Sequence, residues 1–107
     1  MRVSFLYYED CPSHELALAR LHEVMAGEGL SDDVEVIEVE TEERAQELRF
    51  VGSPTIRIDG QDIDPPTGSH YALACRAYQL EDGRISPLPS PGMIRHALNS
   101  AAENRTG

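Results

Sequence analysis

Cysteine is the residue type that most directly suggests chemistry in this chain. Cys11, the first of two cysteines, comes directly after an apolar segment and is followed by Pro12, Ser13 and His14. The thiolate, rather than the thiol, attacks disulfides and binds metals, and a free thiol is only a few per cent ionised at neutral pH. The surroundings of Cys11 therefore decide whether it is a nucleophile.

The residues after Cys11 predict a helix that favours its thiolate. Apolar residues repeat at helical spacing from Pro12 to about Gly27, so that the free N–H groups of Ser13 and His14 would lie near the sulfur. Pro12 suits the first helical position, where its missing N–H has no intrahelical partner. Two acidic residues immediately before the cysteine oppose the thiolate. We expect the helix to outweigh them.

His14 and Cys75 each have two interpretations. His14, one helical turn after Cys11, either donates to the thiolate or shuttles its proton, or it is a solvated helix residue. Cys75 is either the redox partner of Cys11, if their Cα atoms lie within about 7 Å, or a small buried hydrophobe. A Cys-x-x-His spacing offers only two ligands, whereas a structural zinc site needs four. We therefore predict no metal site and no cofactor.

The first half of the chain predicts a βαβ unit followed by a short helix. Residues 3–8 form a nearly continuous apolar run, typical of a strand covered on both faces, and residues 34–39 form a second strand. Because a helix connects them, the two strands are expected to be parallel. Thr41 is a plausible N-cap for the short helix that follows.

The second half predicts a hairpin and a final helix. Asp59-Gly60, between two alternating runs, is a strong hairpin signal, and Ser90 with Pro91 marks the start of the last helix. Tyr71–Gln79 fits both helical and alternating spacing, and we predict a strand there. The Pro-rich pieces at 64–69 and 86–92 are predicted loops.

Two motifs resemble those of the thioredoxin-like superfamily. FLYYEDCP at residues 5–12 resembles its first strand and active-site turn, and VGSPT at residues 51–55 resembles its cis-proline loop. The resemblance implies an α/β, thioredoxin-like fold with a central mixed sheet of about four strands flanked by helices. It also makes residues 65–89 an insertion. The length and the uniform composition indicate one domain over 1–107, with a frayed tail at 103–107.

The resemblance also assigns roles to residues. Cys11 would be the nucleophile, Cys75 or an external thiol would resolve the mixed disulfide, and a cis Ser53–Pro54 bond would face the cysteine. The residues that would contact an extended peptide or thiol substrate are Pro12, Ser13, Ser53, Pro54 and Thr55. The chain departs from the CxxC pattern of redox-active thioredoxins, because its fourth position is His14.

A closer resemblance is to small bacterial proteins of the thioredoxin family that combine an FxxCP start, a GSPT loop followed by a DG hairpin, and a later Cys-Arg-x-Tyr, here Cys75 to Tyr78. This chain departs from the first motif, because Tyr8 stands at the phenylalanine position. Some of these proteins carry labels that link them to alkylmercury lyase. Three functions follow: a thiol–disulfide oxidoreductase, a protein that binds mercury-type soft metals, or a redox-inactive peptide-binding module. We favour the first, whose partner is a thiol or disulfide substrate, protein or small molecule.

Composition restricts partners and compartment. The chain has 19 acidic and 9 basic residues and a net charge of -10, which repels phosphate backbones and anionic lipid headgroups. Its apolar runs are far shorter than the roughly 20 residues of a membrane-spanning helix. We therefore predict a cytoplasmic protein with no nucleic acid and no membrane partner.

Overall fold

The computed structural model describes residues 2–30, 33–65 and 71–106, with side chains up to residue 103. In chain order the elements are β1 (Val3–Tyr7), α1 (His14–Gly27), β2 (Val34–Glu38), α2 (Glu42–Leu48), β3 (Thr55–Ile58), β4 (Gln61–Asp62), β5 (Tyr78–Gln79), β6 (Ile85–Ser86) and α3 (Pro91–Thr106). None of the helices in these ranges is both long enough and apolar enough to cross a bilayer.

A mixed sheet forms the centre of the fold. Its strand order is β2-β1-β3-β4, with β1 and β2 parallel and the other neighbours antiparallel. The short strands β5 and β6 pair separately. The predicted α/β class, with a mixed sheet of four strands, is confirmed.

Helices cover both faces of this sheet. Side chains alternate along a strand, so Val3 and Phe5 of β1 face one side and Leu6 faces the other. Val3 and Phe5 pack with buried residues of α1 and α3, whereas Leu6 packs with Ala45 of α2 and with Phe50. The two core clusters fix β1, and therefore the position at which the chain leaves it toward Cys11.

Helix α1 begins later than the sequence predicted. Its first residue is His14 and its N-cap is Ser13, so Pro12 is outside the helix. The His14 N–H donates to the Cys11 carbonyl, and Ser13 has φ -78° and ψ -7°. These are the features of a type I turn with Pro12 at its second position, where the fixed φ of proline is favourable. Proline is favourable both at the second position of a type I turn and at the first position of a helix, so the sequence alone does not distinguish these two structures.

Both predicted N-caps are confirmed. The Thr41 hydroxyl accepts a hydrogen bond from the Arg44 N–H at 3.0 Å, and the Ser90 hydroxyl accepts one from the Met93 N–H at 3.1 Å. Each bond satisfies a donor that the first turn of a helix leaves free. Helix α3 continues to Thr106 and so includes most of the tail that was expected to fray.

The Asp59-Gly60 hairpin is confirmed. Asp59 and Gly60 have φ values of 52° and 85°, the left-handed conformation at both central positions of a type I′ turn. The Asp59 carboxylate also accepts a hydrogen bond from the Arg2 N–H at 2.8 Å. This side-chain contact ties the hairpin to the start of β1.

The segment after the hairpin is mostly irregular. The strand predicted over Tyr71–Gln79 is reduced to β5, and Cys75 forms only an isolated parallel bridge with Ser53. The bridge shows that the backbone partner of this segment is the loop before β3 rather than a neighbouring strand. Residues 66–70, which include part of the predicted loop at 64–69, lie outside the described residues.

Candidate functional site

The two cysteines form a disulfide. The Cys11 and Cys75 sulfurs are 2.14 Å apart and the Cα atoms are 5.7 Å apart, across a sequence separation of 64. The separation satisfies the distance that the sequence-based hypothesis of a cysteine pair required. Cys75 is exposed, so it is not the buried hydrophobe of the other interpretation.

The two halves of the disulfide differ in exposure. Cys11 is 0% exposed, whereas Cys75 lies at the surface. The sequence indicated Cys11 as the attacking thiol, and in this oxidised form its sulfur is bonded and its side chain is covered by protein. Of the two residues that form the disulfide, Cys75 is therefore the exposed one.

The proline loop lies beside this disulfide. The Ser53–Pro54 peptide bond is cis, as predicted. The Ser53 N–H donates to the Ala74 carbonyl and the Arg76 N–H donates to the Ser53 carbonyl, both at 2.8 Å. The backbone of Ser53, expected to pair with an extended substrate, is therefore paired with the chain's own residues on either side of Cys75.

The other predicted substrate contacts divide between the interior and the surface. Ser53, Pro54 and Thr55 are buried, and the Ser53 hydroxyl accepts a hydrogen bond from the Tyr8 N–H at 2.9 Å. This bond joins the proline loop to the turn that carries Cys11. Pro12 is exposed and Ser13 is half-buried.

Gly52 permits residues 74–78, called here the Cys75 segment, to approach the proline loop closely. Its φ is +133°, in the region that favours glycine. A Cβ at this position would lie 2.9 Å from the Cβ of Arg76, closer than real Cβ contacts allow. Glycine is thus required here for its backbone conformation and for its lack of a side chain.

Arg76 anchors the segment in the interior. Its guanidinium forms an ion pair with Asp62 at 2.7 Å, donates to the Asp64 carbonyl, and lies 4.5 Å from the centre of the Tyr78 ring. Asp62 belongs to β4, so the ion pair fixes the Cys75 segment to the sheet. The planar, multidentate guanidinium suits this combination of contacts better than an ammonium would.

Tyr78 provides a second anchor. Its hydroxyl donates to the Pro54 carbonyl at 2.5 Å, and its ring is completely buried. Burial raises the pKa of the Tyr78 hydroxyl above its usual range, while the nearby Arg76 opposes this effect. The phenol therefore stays protonated and keeps its hydrogen bond to the proline loop.

Sequence reasoning identified the Cys-Arg-x-Tyr motif but not the roles of its arginine and tyrosine. The signal in the sequence is the alternating spacing of this segment. In the structure the alternation appears as exposed Cys75 and Ala77 and buried Arg76 and Tyr78. An arginine at a buried position of an alternating segment requires a partner of opposite charge. The identity of that partner, Asp62, depends on tertiary structure.

His14 contacts the backbone of Cys11. Its Nδ1 lies 2.7 Å from the Cys11 carbonyl oxygen, and its ring stacks on Tyr7 with centroids 4.6 Å apart. Because a carbonyl oxygen only accepts hydrogen bonds, Nδ1 carries the proton. In the oxidised form His14 thus helps to hold the turn around Cys11, and its predicted role as a proton shuttle stays a prediction.

Within the described ranges, no group of three or more His, Cys, Asp or Glu residues has the arrangement of a metal site. Comparisons with protein-family models, with curated proteins and with solved structures give no match. The function of the Cys11–Cys75 site is therefore inferred from the chain's own residues.

Proposed function

We propose that the protein is a thiol–disulfide oxidoreductase whose redox couple is Cys11 and Cys75. The observation that carries this proposal is the Cys11–Cys75 disulfide, one residue of which, Cys75, is exposed and pairs with the proline loop. A disulfide that solvent reaches is open to attack by an external thiolate. The motif at Cys11 lacks the second cysteine of CxxC, and Cys75 supplies a second thiol from another part of the chain.

The architecture supports a thioredoxin-like assignment. The order β1-α1-β2-α2-β3-β4-α3, apart from the β5–β6 insertion, agrees with the plan that the two sequence motifs imply. The mixed four-stranded sheet, with β1 and β2 parallel and β3 and β4 forming the antiparallel hairpin, agrees with it as well. The resemblance implies that the proline loop faces the reactive cysteine; in support of this, the turn that carries Cys11 is joined to the loop by the hydrogen bond from the Tyr8 N–H to the Ser53 hydroxyl.

The proposed compartment favours a reversible disulfide. In a reducing cytoplasm most thiols stay reduced, and the disulfides that do form are usually transient and catalytic. A cytoplasmic location for this acidic chain therefore supports a redox cycle. In that cycle the dithiol form transfers two electrons to a disulfide substrate and becomes the oxidised form, and a thiol such as glutathione reduces it again.

Turnover with a reporter substrate tests the proposal. A disulfide-linked peptide bearing a fluorophore and a quencher is incubated with glutathione and catalytic amounts of protein. We expect the wild type to accelerate its reduction and the Cys11→Ser/Cys75→Ser double variant to add nothing to the glutathione rate. Equal rates with the wild type and the double variant would refute the proposal.

The proximity of the two sulfurs also favours the soft-metal alternative. Once reduced, two thiolates on Cα atoms 5.7 Å apart offer a pair of soft ligands to an ion such as Hg²⁺. Titration of the reduced protein with Hg²⁺ tests this function separately from turnover. An affinity that persists in the Cys11→Ser/Cys75→Ser variant would eliminate this candidate.

A further inference from the structure

We infer that external thiols react with this redox couple at Cys75, and that Cys11 is the internal thiol that leaves and later re-forms the bond. The inference rests on the proposed function and reverses the roles that the motif around Cys11 implies. It concerns which sulfur carries the mixed disulfide with the substrate.

Access to the sulfurs carries the first step. A thiolate attacks one sulfur of a disulfide on the side opposite the other sulfur, so the attacked atom needs open space there. Cys11 is 0% exposed, and protein occupies the approach to it. Cys75 is exposed, and its exposed neighbours Ala74 and Ala77 carry only methyl groups, so no long side chain from these positions shields it.

The Cys75 segment is held in place by contacts that do not depend on the disulfide. The backbone of Ser53 pairs with Ala74 and Arg76, on both sides of the cysteine. The Arg76 side chain is anchored inside by Asp62, and the next buried position, Tyr78, is bonded to Pro54. Reduction breaks only the S–S bond, so these contacts keep the Cys75 thiol at the surface and beside Cys11.

The exchange follows from this arrangement with atoms and electrons balanced. A glutathione thiolate attacks Sγ of Cys75, a new S–S bond forms, and the electron pair of the broken bond leaves with Sγ of Cys11, which takes a proton from water. A second glutathione thiolate attacks the glutathione sulfur of the mixed disulfide, so that oxidised glutathione forms and the Cys75 thiolate leaves. In the opposite direction the Cys75 thiolate attacks a substrate disulfide, and Cys11 then displaces the substrate's remaining thiolate from Cys75.

Mapping the mixed disulfide in the wild type tests the inference without a substitution. The oxidised protein is treated with limiting glutathione and quenched with acid. Free thiols are then alkylated, and peptide mass spectrometry locates the glutathione. We expect glutathione on Cys75 and the alkyl group on Cys11. Glutathione found on Cys11 would overturn the inference and leave the redox function intact, whereas no exchange at either cysteine would overturn both.

Two single variants provide an independent rate measurement. Each variant is reduced, checked for native circular dichroism, and mixed with oxidised glutathione. We expect Cys11→Ser to form its mixed disulfide at least ~10-fold faster than Cys75→Ser, because its remaining cysteine, Cys75, is the exposed residue of the pair, whereas Cys11 is buried. Equal rates, or a faster Cys75→Ser variant, would contradict the assignment. If the buried Cys11→Ser variant does not fold, the mapping of the wild type still decides it.

Discussion

Two side chains from consecutive buried positions, Arg76 and Tyr78, set the position of Cys75. Arg76 reaches β4 and Tyr78 reaches the proline loop, so the segment is attached to the sheet at one point and to the site at the other. Removing the two side chains should lower the free energy of unfolding by different amounts, because Arg76 carries a buried charge and the Tyr78 hydroxyl is a neutral hydrogen-bond donor. These two contacts hold Cys75 in place and take no part in the proposed thiol–disulfide exchange.

Arg76→Ala should strongly destabilise the protein. It leaves the Asp62 carboxylate, whose side chain is 12% exposed, without its ion-pair partner, and breaking a buried pair costs about 3–5 kcal/mol. Arg84→Ala is a matched control, since Arg84 contacts Asp82 at 2.6 Å with side chains 77% and 55% exposed. Exposed pairs contribute little. Urea unfolding that shows equal losses for the two variants would contradict the anchoring role of Arg76.

Tyr78→Phe should lower the free energy of unfolding by about 1–3 kcal/mol, because it leaves the buried Pro54 carbonyl without its donor.

The pKa of Tyr78 is raised in the folded state, so above pH 10, the usual value, the unfolded chain releases this proton and the folded chain keeps it. Wild-type stability therefore falls as pH rises through that range, and the variant lacks this part of the fall. The difference between the two proteins should be full below pH 10 and should shrink above it.

Chemical denaturation at pH 8 and pH 11 measures this difference. Tyr71→Phe, at a half-buried tyrosine, is the control for removing a phenol hydroxyl. A constant difference between wild type and Tyr78→Phe across the two pH values would show that the Tyr78 proton is not linked to folding.

At the scale of elements, turns and helix caps could be predicted from local residue signals, whereas pairing between distant parts of the chain could not. Asp59-Gly60 adopts the turn it predicts because the required φ values are a property of those two residues. The N-caps at Thr41 and Ser90 are equally local. The Cys75 segment fits two periodicities, and its actual partners, Ser53 and Asp62, come from distant parts of the chain. The sequence therefore identifies both cysteines as candidate redox residues, but it does not predict the contacts that position Cys75.

Gly52→Ala should disturb the site more than a comparable change elsewhere. A Cβ there meets Arg76 at 2.9 Å, so the Cys75 segment must move away from the proline loop. Gly60→Ala is the control, because Gly60 also has a positive φ, +85°, but a Cβ there meets no atom within 4 Å. We expect a loss of about 1–2 kcal/mol for Gly60→Ala, from the left-handed conformation alone, and a larger loss for Gly52→Ala.

Re-formation of the disulfide after reduction separates these two glycine variants further. Only Gly52→Ala should slow the oxidation of Cys11 and Cys75 by oxidised glutathione, as followed by alkylation and mass spectrometry. Unimpaired oxidation in Gly52→Ala would contradict the requirement for close approach at the proline loop.

At the scale of the whole molecule, the disulfide adds stability to a fold that has its own core. Two hydrophobic clusters cover the two faces of the sheet, and neither includes a cysteine. The reduced protein is therefore expected to stay folded, as a redox cycle requires. The α/β plan with a mixed four-stranded sheet could be predicted from the sequence because β1, α1, β2 and the hairpin each carry a clear local signal, whereas residues 71–79 fit two periodicities and neither decides their structure.

Reduction should lower the free energy of unfolding without unfolding the protein. The bond closes a loop across a sequence separation of 64, for which the loss of unfolded-state entropy corresponds to about 4 kcal/mol. Thermal unfolding with and without a dithiol reductant measures the difference. A reduced protein without a cooperative transition would mean that the disulfide is structural.

The equilibrium between the dithiol and disulfide forms tests the redox assignment most directly. The native protein is equilibrated in buffers of graded reduced and oxidised glutathione, its free thiols are alkylated, and the oxidised fraction is read by mass. We predict a reversible transition with a midpoint less negative than about -300 mV, in the range of exchanging rather than structural disulfides. A Cys11–Cys75 bond that stays oxidised in every buffer until the protein is unfolded would contradict the account.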